Sequence, residues 1–119
     1  MLLPIGIDYR NVQSSEPFDV LIRTMAAGLT QHCASLLDCY VTLDKAHGHQ
    51  RYGSTYEVHI HLSVIGFSIV ASRSSEPNDE GLRGAIRDAF DSAGRQLEDW
   101  TKKTRHVAKY GRSDLDDLS

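Results

Sequence analysis

The stretch GLRGAIRDAFDSAGRQLEDWTKK, Gly81 to Lys103, constrains this chain more than any other. Leu82, Ile86, Ala89, Phe90, Ala93, Leu97 and Trp100 recur at steps of three and four, which puts them on one stripe of an α-helix. At 1.5 Å per residue such a helix is roughly 34 Å long, about the width of a small domain. A stripe ending in Phe90, Leu97 and Trp100 requires a matching apolar surface. The outer stripe reads Arg83, Arg87, Asp91, Arg95, Asp99, Lys102 and Lys103.

The matching surface is written in period two. Leu3, Ile5, Ile7 and Tyr9 alternate, so residues 3–9 read as a first strand, with Pro4 at its start. Cys39, Val41 and Leu43 alternate within 38–44. Tyr56, Val58, Ile60, Leu62 and Val64 do so within 54–65, the cleanest alternation in the chain. After a turn at Gly66, Phe67, Ile69 and Ala71 lead a fourth strand to about Arg73. Between the first two strands, Ser14 or Ser15 caps a helix over 17–35 with Glu16 and Pro17 in its first turn. Phe18, Leu21, Ile22, Met25, Leu29, Cys33 and Leu36 form its stripe. Gly28 inside this helix marks close packing. KAHGHQRYG reads as a loop, and so does RSSEPNDEG, where Asn78 or Asp79 caps the long helix.

The order is β-α-β-β-β-α. A helical crossover makes the first two strands parallel, and the two short links that follow make hairpins. Each helix has one apolar stripe and the strands have one apolar face. The economical solution is an α+β fold of two layers: a four-stranded sheet with both helices on one side. The other sheet face, with Tyr40, Thr42, Glu57, His59, His61 and Ser63, stays open.

At 119 residues this is one domain, large enough to bury a core without a staple. Residues 1–105 form that domain, and 106–119, ending GRSDLDDLS, read as a flexible tail. The opening MLLPIGIDYR has neither the basic start nor the apolar length of a signal peptide, and no segment approaches a membrane span. The expectation is a cytoplasmic chain in which Cys33 and Cys39 are free, buried thiols.

The net charge of -3 is unevenly spread. Arg95 to Arg112 holds six basic residues against Glu98 and Asp99, a net +4, so the remainder carries -7. Such asymmetry suits an anionic partner read by one end of the molecule. A solvated helix end favourable to the helix dipole accounts for it equally. His47, His49, His59 and His61 are the candidate metal ligands, but no spacing among them matches a metal motif. Cys39 points to the core while His59 points out, so an exposed polar strand face is the simpler account. The residues supply no glycine-rich phosphate loop, no activated nucleophile and no isolated carboxylate pair. No enzyme, metal or cofactor is expected.

The helix AIRDAFDSAGRQLEDW (Ala85–Trp100), the hairpin YEVHIHLSVIGFSIVASR (Tyr56–Arg73) and the strand end YRNV (Tyr9–Val12) resemble the ribosome hibernation-promoting and ribosome-associated inhibitor family, the sigma-54 modulation proteins. The resemblance covers roughly residues 3–105. It implies a fold like the double-stranded-RNA-binding domain. It also implies a stress-response translation inhibitor bound to small-subunit ribosomal RNA in the decoding region. Without an added dimerisation or cold-shock domain, the chain resembles the short form.

The resemblance assigns RNA binding to Arg10, Arg23, Lys45, Arg83, Arg87, Arg95, Lys102, Lys103 and Arg105. Arginine and lysine suit phosphate because they donate charge-assisted hydrogen bonds without reading a base sequence. Departures from the family pattern stand beside them: Ser92 and Asp99 occupy places where relatives often carry lysine, and Met25, Gly28 and Gln31 align with basic positions of the first helix. The outer stripe has an internal account too, because Arg87–Asp91, Asp91–Arg95, Arg95–Asp99 and Asp99–Lys103 are all i,i+4 pairs. Two other classes compete. One is a zinc enzyme built on the histidines. The other is a protein-interaction module or homodimer that uses Tyr40, His59 and His61 on the open sheet face, with reduced RNA affinity.

Overall fold

The computed structural model describes all residues except 1–2, 32, 34, 48–53 and 119, with the backbone alone described for 46, 47, 54 and 104–118. The elements are β1 (Ile5–Arg10), α1 (Glu16–Leu29), β2 (Leu36–His47), β3 (Ser54–Val64), β4 (Phe67–Ser75) and α2 (Asp79–Leu118). They form one four-stranded mixed sheet in the order β1-β2-β3-β4. β1 runs parallel to β2, as its helical crossover requires, while β2–β3 and β3–β4 are antiparallel.

The buried side of the sheet is the one its alternation marks. Cys39, Val41, Leu43, Val58, Ile60, Leu62, Val64, Ile69 and Ala71 meet Phe18, Ile22, Ala26 and Leu29 of α1 and Leu82, Ile86, Ala89, Phe90, Ala93 and Leu97 of α2 in one core. Both helices therefore lie on the same face. Each large aliphatic side chain buried there contributes about 1.5–3 kcal/mol relative to exposure. No described helix is long and apolar enough to cross a membrane.

Several boundaries differ from the periodicity. α1 stops at Leu29, six residues short of the end of the helix expected over 17–35. Thr30 closes it: its amide and its hydroxyl both donate to the Ala27 carbonyl, at 3.2 and 2.7 Å, and the Gln31 amide reaches Gly28 O at 3.3 Å. Cys33 and Leu36 are buried all the same, from the link and from β2. The register shift between Leu36 and Asp38 makes Leu37 the extra residue of a β-bulge. That is why Leu36 and Cys39, three apart, both face the core while Leu37 is 50% exposed.

β2 continues to His47 because β3 offers it partners as far as His47↔Ser54, so Lys45 to His47, read as loop, are strand. β4 likewise runs on to Ser75, opposite Tyr56. The β3–β4 turn is Ile65-Gly66, and Gly66 supplies the left-handed φ of 77°. α2 extends to Leu118, through the segment that the sequence reads as a tail. Propagating an existing helix costs far less than nucleating one, so it continues beyond the core that started it.

Gly28 does not mark close packing: a Cβ built there meets nothing within 4 Å. Gly28→Ala is therefore expected to raise stability by about 1 kcal/mol, the ordinary helix preference of alanine, read as a higher denaturation midpoint. The glycine that does relieve contact is Gly6, whose Cβ would lie 2.7 Å from Cδ2 of Tyr40, so the tyrosine ring rests over β1. Cys33 and Cys39 are buried free thiols. Burial, with the Asp38 charge beside it, pushes the Cys39 thiol up to about 12, so it carries no thiolate near neutrality.

Candidate nucleic-acid interface

The start of α2 sets the direction in which its outer stripe points. Asn78 caps it: the Gly81 amide donates to Asn78 Oδ1 at 2.6 Å, and the Leu82 amide to Asn78 O at 2.9 Å. A Cβ at Gly81 would lie 2.7 Å from Glu76 O, so the turn into the helix closes only around glycine. With Leu82 and Ile86 locked into the core, Arg83, Arg87, Arg95, Lys102 and Lys103 are exposed. From 83 to 103 they track roughly 30 Å of one helix.

The i,i+4 ladder is absent from this surface. Among the described residues the ion pairs are Arg10–Asp8, Arg23–Asp19, His59–Glu57 and Lys102–Glu98, and none of the four expected ladder pairs closes. On an exposed helix such pairs gain too little to hold two long side chains in one geometry. Arg83 instead lies over the ring of Phe18, 5.4 Å from its centroid, and so marks the junction of the two helices. Asp88, Asp91, Glu98 and Asp99 share the exposed surface, so it is mixed in sign rather than uniformly basic.

The other candidate cations are spread. Arg23 is held by Asp19 at 2.8 Å on α1. Arg10 is held by Asp8 at 2.8 Å on β1, and that hydrogen bond raises its pKa further. The register Arg10↔Asp44 places Arg10 with the open side of the sheet, away from the helices. Lys45 is half-buried opposite Tyr56, in phase with the core-facing residues of β2. The structure thus places six of the nine named cations on α2, five of them with described, exposed side chains, and Arg10, Arg23 and Lys45 on β1, α1 and β2. Arg105 lies on the α2 backbone.

His59 and His61 sit on the open face, with His59 Nε2 3.8 Å from Glu57 Oε2. His49 falls outside the described residues, and of His47 only its pairing with Ser54 is described. Among the described residues no three potential ligands converge on a metal position.

A cavity of about 440 Å³ opens between the starts of α1 and α2, lined by Ser14, Ser15, Glu16, Phe18, Tyr56 and Asp79 among others. Two helix N-termini meet there, but Glu16 and Asp79 already bring negative charge to them, which disfavours a phosphate.

Three contacts that position the site carry no signal in the sequence. Gln96 Nε2 donates to the Val70 carbonyl at 3.2 Å and ties α2 to the free edge of β4. Trp100 is half-buried, not core, and stacks on Phe67 with centroids 6.2 Å apart. The Tyr9 hydroxyl donates to the Ser15 carbonyl at 3.2 Å and fixes the entry to α1.

Comparison with known proteins agrees with this architecture. A family model described as sigma 54 modulation protein / S30EA ribosomal protein matches residues 5–105. A ribosomal subunit interface protein from Coxiella burnetii is similar in structure, with a TM-score of 0.64 and 12% identity over 84% of this chain and 99% of that one. The N-terminal domain of Thermus thermophilus Protein Y gives a TM-score of 0.59 and 15% identity over 84% and 99%. At such identities the two structures speak for the fold alone. No curated protein matches the sequence.

Proposed function

The chain belongs to the sigma 54 modulation protein / S30EA ribosomal protein family, and from that membership we propose that it is a cytoplasmic, ribosome-associated translation inhibitor of the hibernation type. It binds small-subunit ribosomal RNA in the decoding region and keeps messenger and transfer RNA out by occupying their place. The action is steric and non-enzymatic, and it needs no cofactor. The observation that carries the reading is the outer surface of α2, where Arg87, Arg95 and Lys103 are exposed and outside the ion pairs formed among the described residues. Guanidinium and ammonium groups in that state bind phosphate without first breaking an internal pair.

Co-sedimentation with purified small subunits over a salt series tests the proposal. The chain is expected in the subunit fraction at low salt and is released as salt rises, because phosphate contacts are counterion-linked. Its absence from that fraction at low salt overturns the reading.

A protein-interaction surface or homodimer on the open sheet face is the second reading, with RNA affinity reduced. Tyr40, 46% exposed, and Val70, 59% exposed, favour it, since they flank His61 in one cross-strand row of that face.

A further inference from the structure

We propose that the open face of the sheet is a docking surface for the projecting end of α2 from a second copy of this chain, so that two copies exchange their helix ends. The face is acidic. By strand phase, and among the described residues, it carries Asp8, Asp38, Asp44 and Glu57 against one arginine, Arg10, which Asp8 already holds. Its centre is the row Gly6, Tyr40, His61, Val70, in which the two exposed non-histidine side chains are apolar or aromatic. Acid around a small apolar centre suits a basic segment.

The chain supplies such a segment. Trp100 stacks on Phe67, the first residue of β4, so α2 has reached the end of the sheet there. Residues 101–118 continue as helix for roughly 27 Å past that point. The molecule is correspondingly long, 60 Å on its main axis. In the sequence of this extension Lys102, Arg105, Lys109 and Arg112 recur at steps of three, four and three, the spacing of one helical stripe. In sequence the extension thus offers four cations at one helical spacing, and the face offers Asp38, Asp44 and Glu57 beside the Asp8–Arg10 pair.

The dimensions agree. A helix is about 10 Å wide and covers the two central strands at roughly 4.8 Å spacing; eleven residues of β3 offer about 36 Å of length. β2 and β3 are the strands that carry Asp38, Asp44, Glu57 and Tyr40. A chain cannot satisfy its own face, because α2 lies on the opposite side of the sheet and leaves it end-on. Exchange between two copies about a twofold axis closes both contacts at once and leaves no open site for further growth. This exchange rests on the second reading of the open sheet face and needs no RNA, although Lys102 and Arg105 are also among the named RNA-binding cations.

The test is the mass in solution of the purified chain, free of nucleic acid, by sedimentation equilibrium at low and high salt. Wild type is expected near twice the 13.3 kDa of one chain at low salt and to dissociate as salt screens the contact. Asp44→Lys with Glu57→Lys is expected to be monomeric, because a basic helix then faces a basic sheet. Lys109→Glu with Arg112→Glu is expected to be monomeric for the converse reason. Mixed one to one, the two variants are expected to form a heterodimer, since each contact then joins opposite charges. Circular dichroism establishes that each variant is folded before mixing. A wild type that stays monomeric at low salt overturns the proposal and leaves the face to some other basic partner. Variants that self-associate like wild type, or folded variants that fail to combine, overturn it too.

Discussion

Arg95→Glu combined with Lys103→Glu is expected to weaken association with small ribosomal subunits by about 60-fold at 0.1 M salt, with a salt slope shallower by about 1.5–2 units. Each phosphate contact releases about 0.9 counterion, so two lost contacts remove about 1.8 decades of affinity at that salt concentration. Reversal of charge, rather than neutralisation, adds repulsion to the loss. Both side chains are exposed and neither closes an ion pair among the described residues. The melting point should therefore move little, by less than the equivalent of about 0.5 kcal/mol. Arg73→Glu is the control: it is exposed on β4, where its guanidinium donates to the Ser72 carbonyl at 2.7 Å, and it stands apart from the α2 stripe. A variant that binds normally but melts lower would make the stripe scaffold instead of interface.

Leu97→Ala is expected to have the largest effect on folding. Leu97 is 0% exposed, one turn before Trp100 and close to where α2 leaves the sheet. Truncation removes the transfer free energy of three heavy atoms and leaves a cavity that rigid neighbours fill only in part, at about 2–5 kcal/mol. For a chain whose whole stability is about 5–15 kcal/mol this is a large share, and Tm should fall by roughly 10–20 °C. The effect should appear in thermal unfolding without a selective loss of ribosome binding by the protein that remains folded. Trp100→Ala should cost less, because the indole is half-buried and its stacked partner Phe67 is itself 49% exposed.

The elements were legible because burial is written as periodicity. Val58, Ile60, Leu62 and Val64 are buried in the order that alternation predicts, and Leu82 through Leu97 follow the helical stripe. The ends were less legible because they depend on partners far away in sequence. Lys45 to His47 are strand because β3 lies beside them, not because their own residues favour it. Leu36 looked like a helical residue at i+3 from Cys33; a bulge at Leu37 makes it a strand residue instead. The same limit governs the site. The resemblance names nine cations as one set, but strand phase puts Arg10 on the open face, away from α2, Asp19 holds Arg23 on α1, and Arg83 lies on Phe18. Spacing at i,i+4 permits a ladder but does not supply the energy to hold one at the surface, so the pairs were permitted and are not made.

In the proposed function the outer surface of α2 lies against the decoding region of small-subunit RNA. Chemical probing of that RNA in small subunits, with and without saturating protein, tests it most directly. Wild type is expected to protect decoding-region nucleotides, and Arg95→Glu/Lys103→Glu is expected to lose that protection at the same protein concentration. Reactivity unchanged throughout the decoding region, or protection that the double variant retains in full, would contradict it.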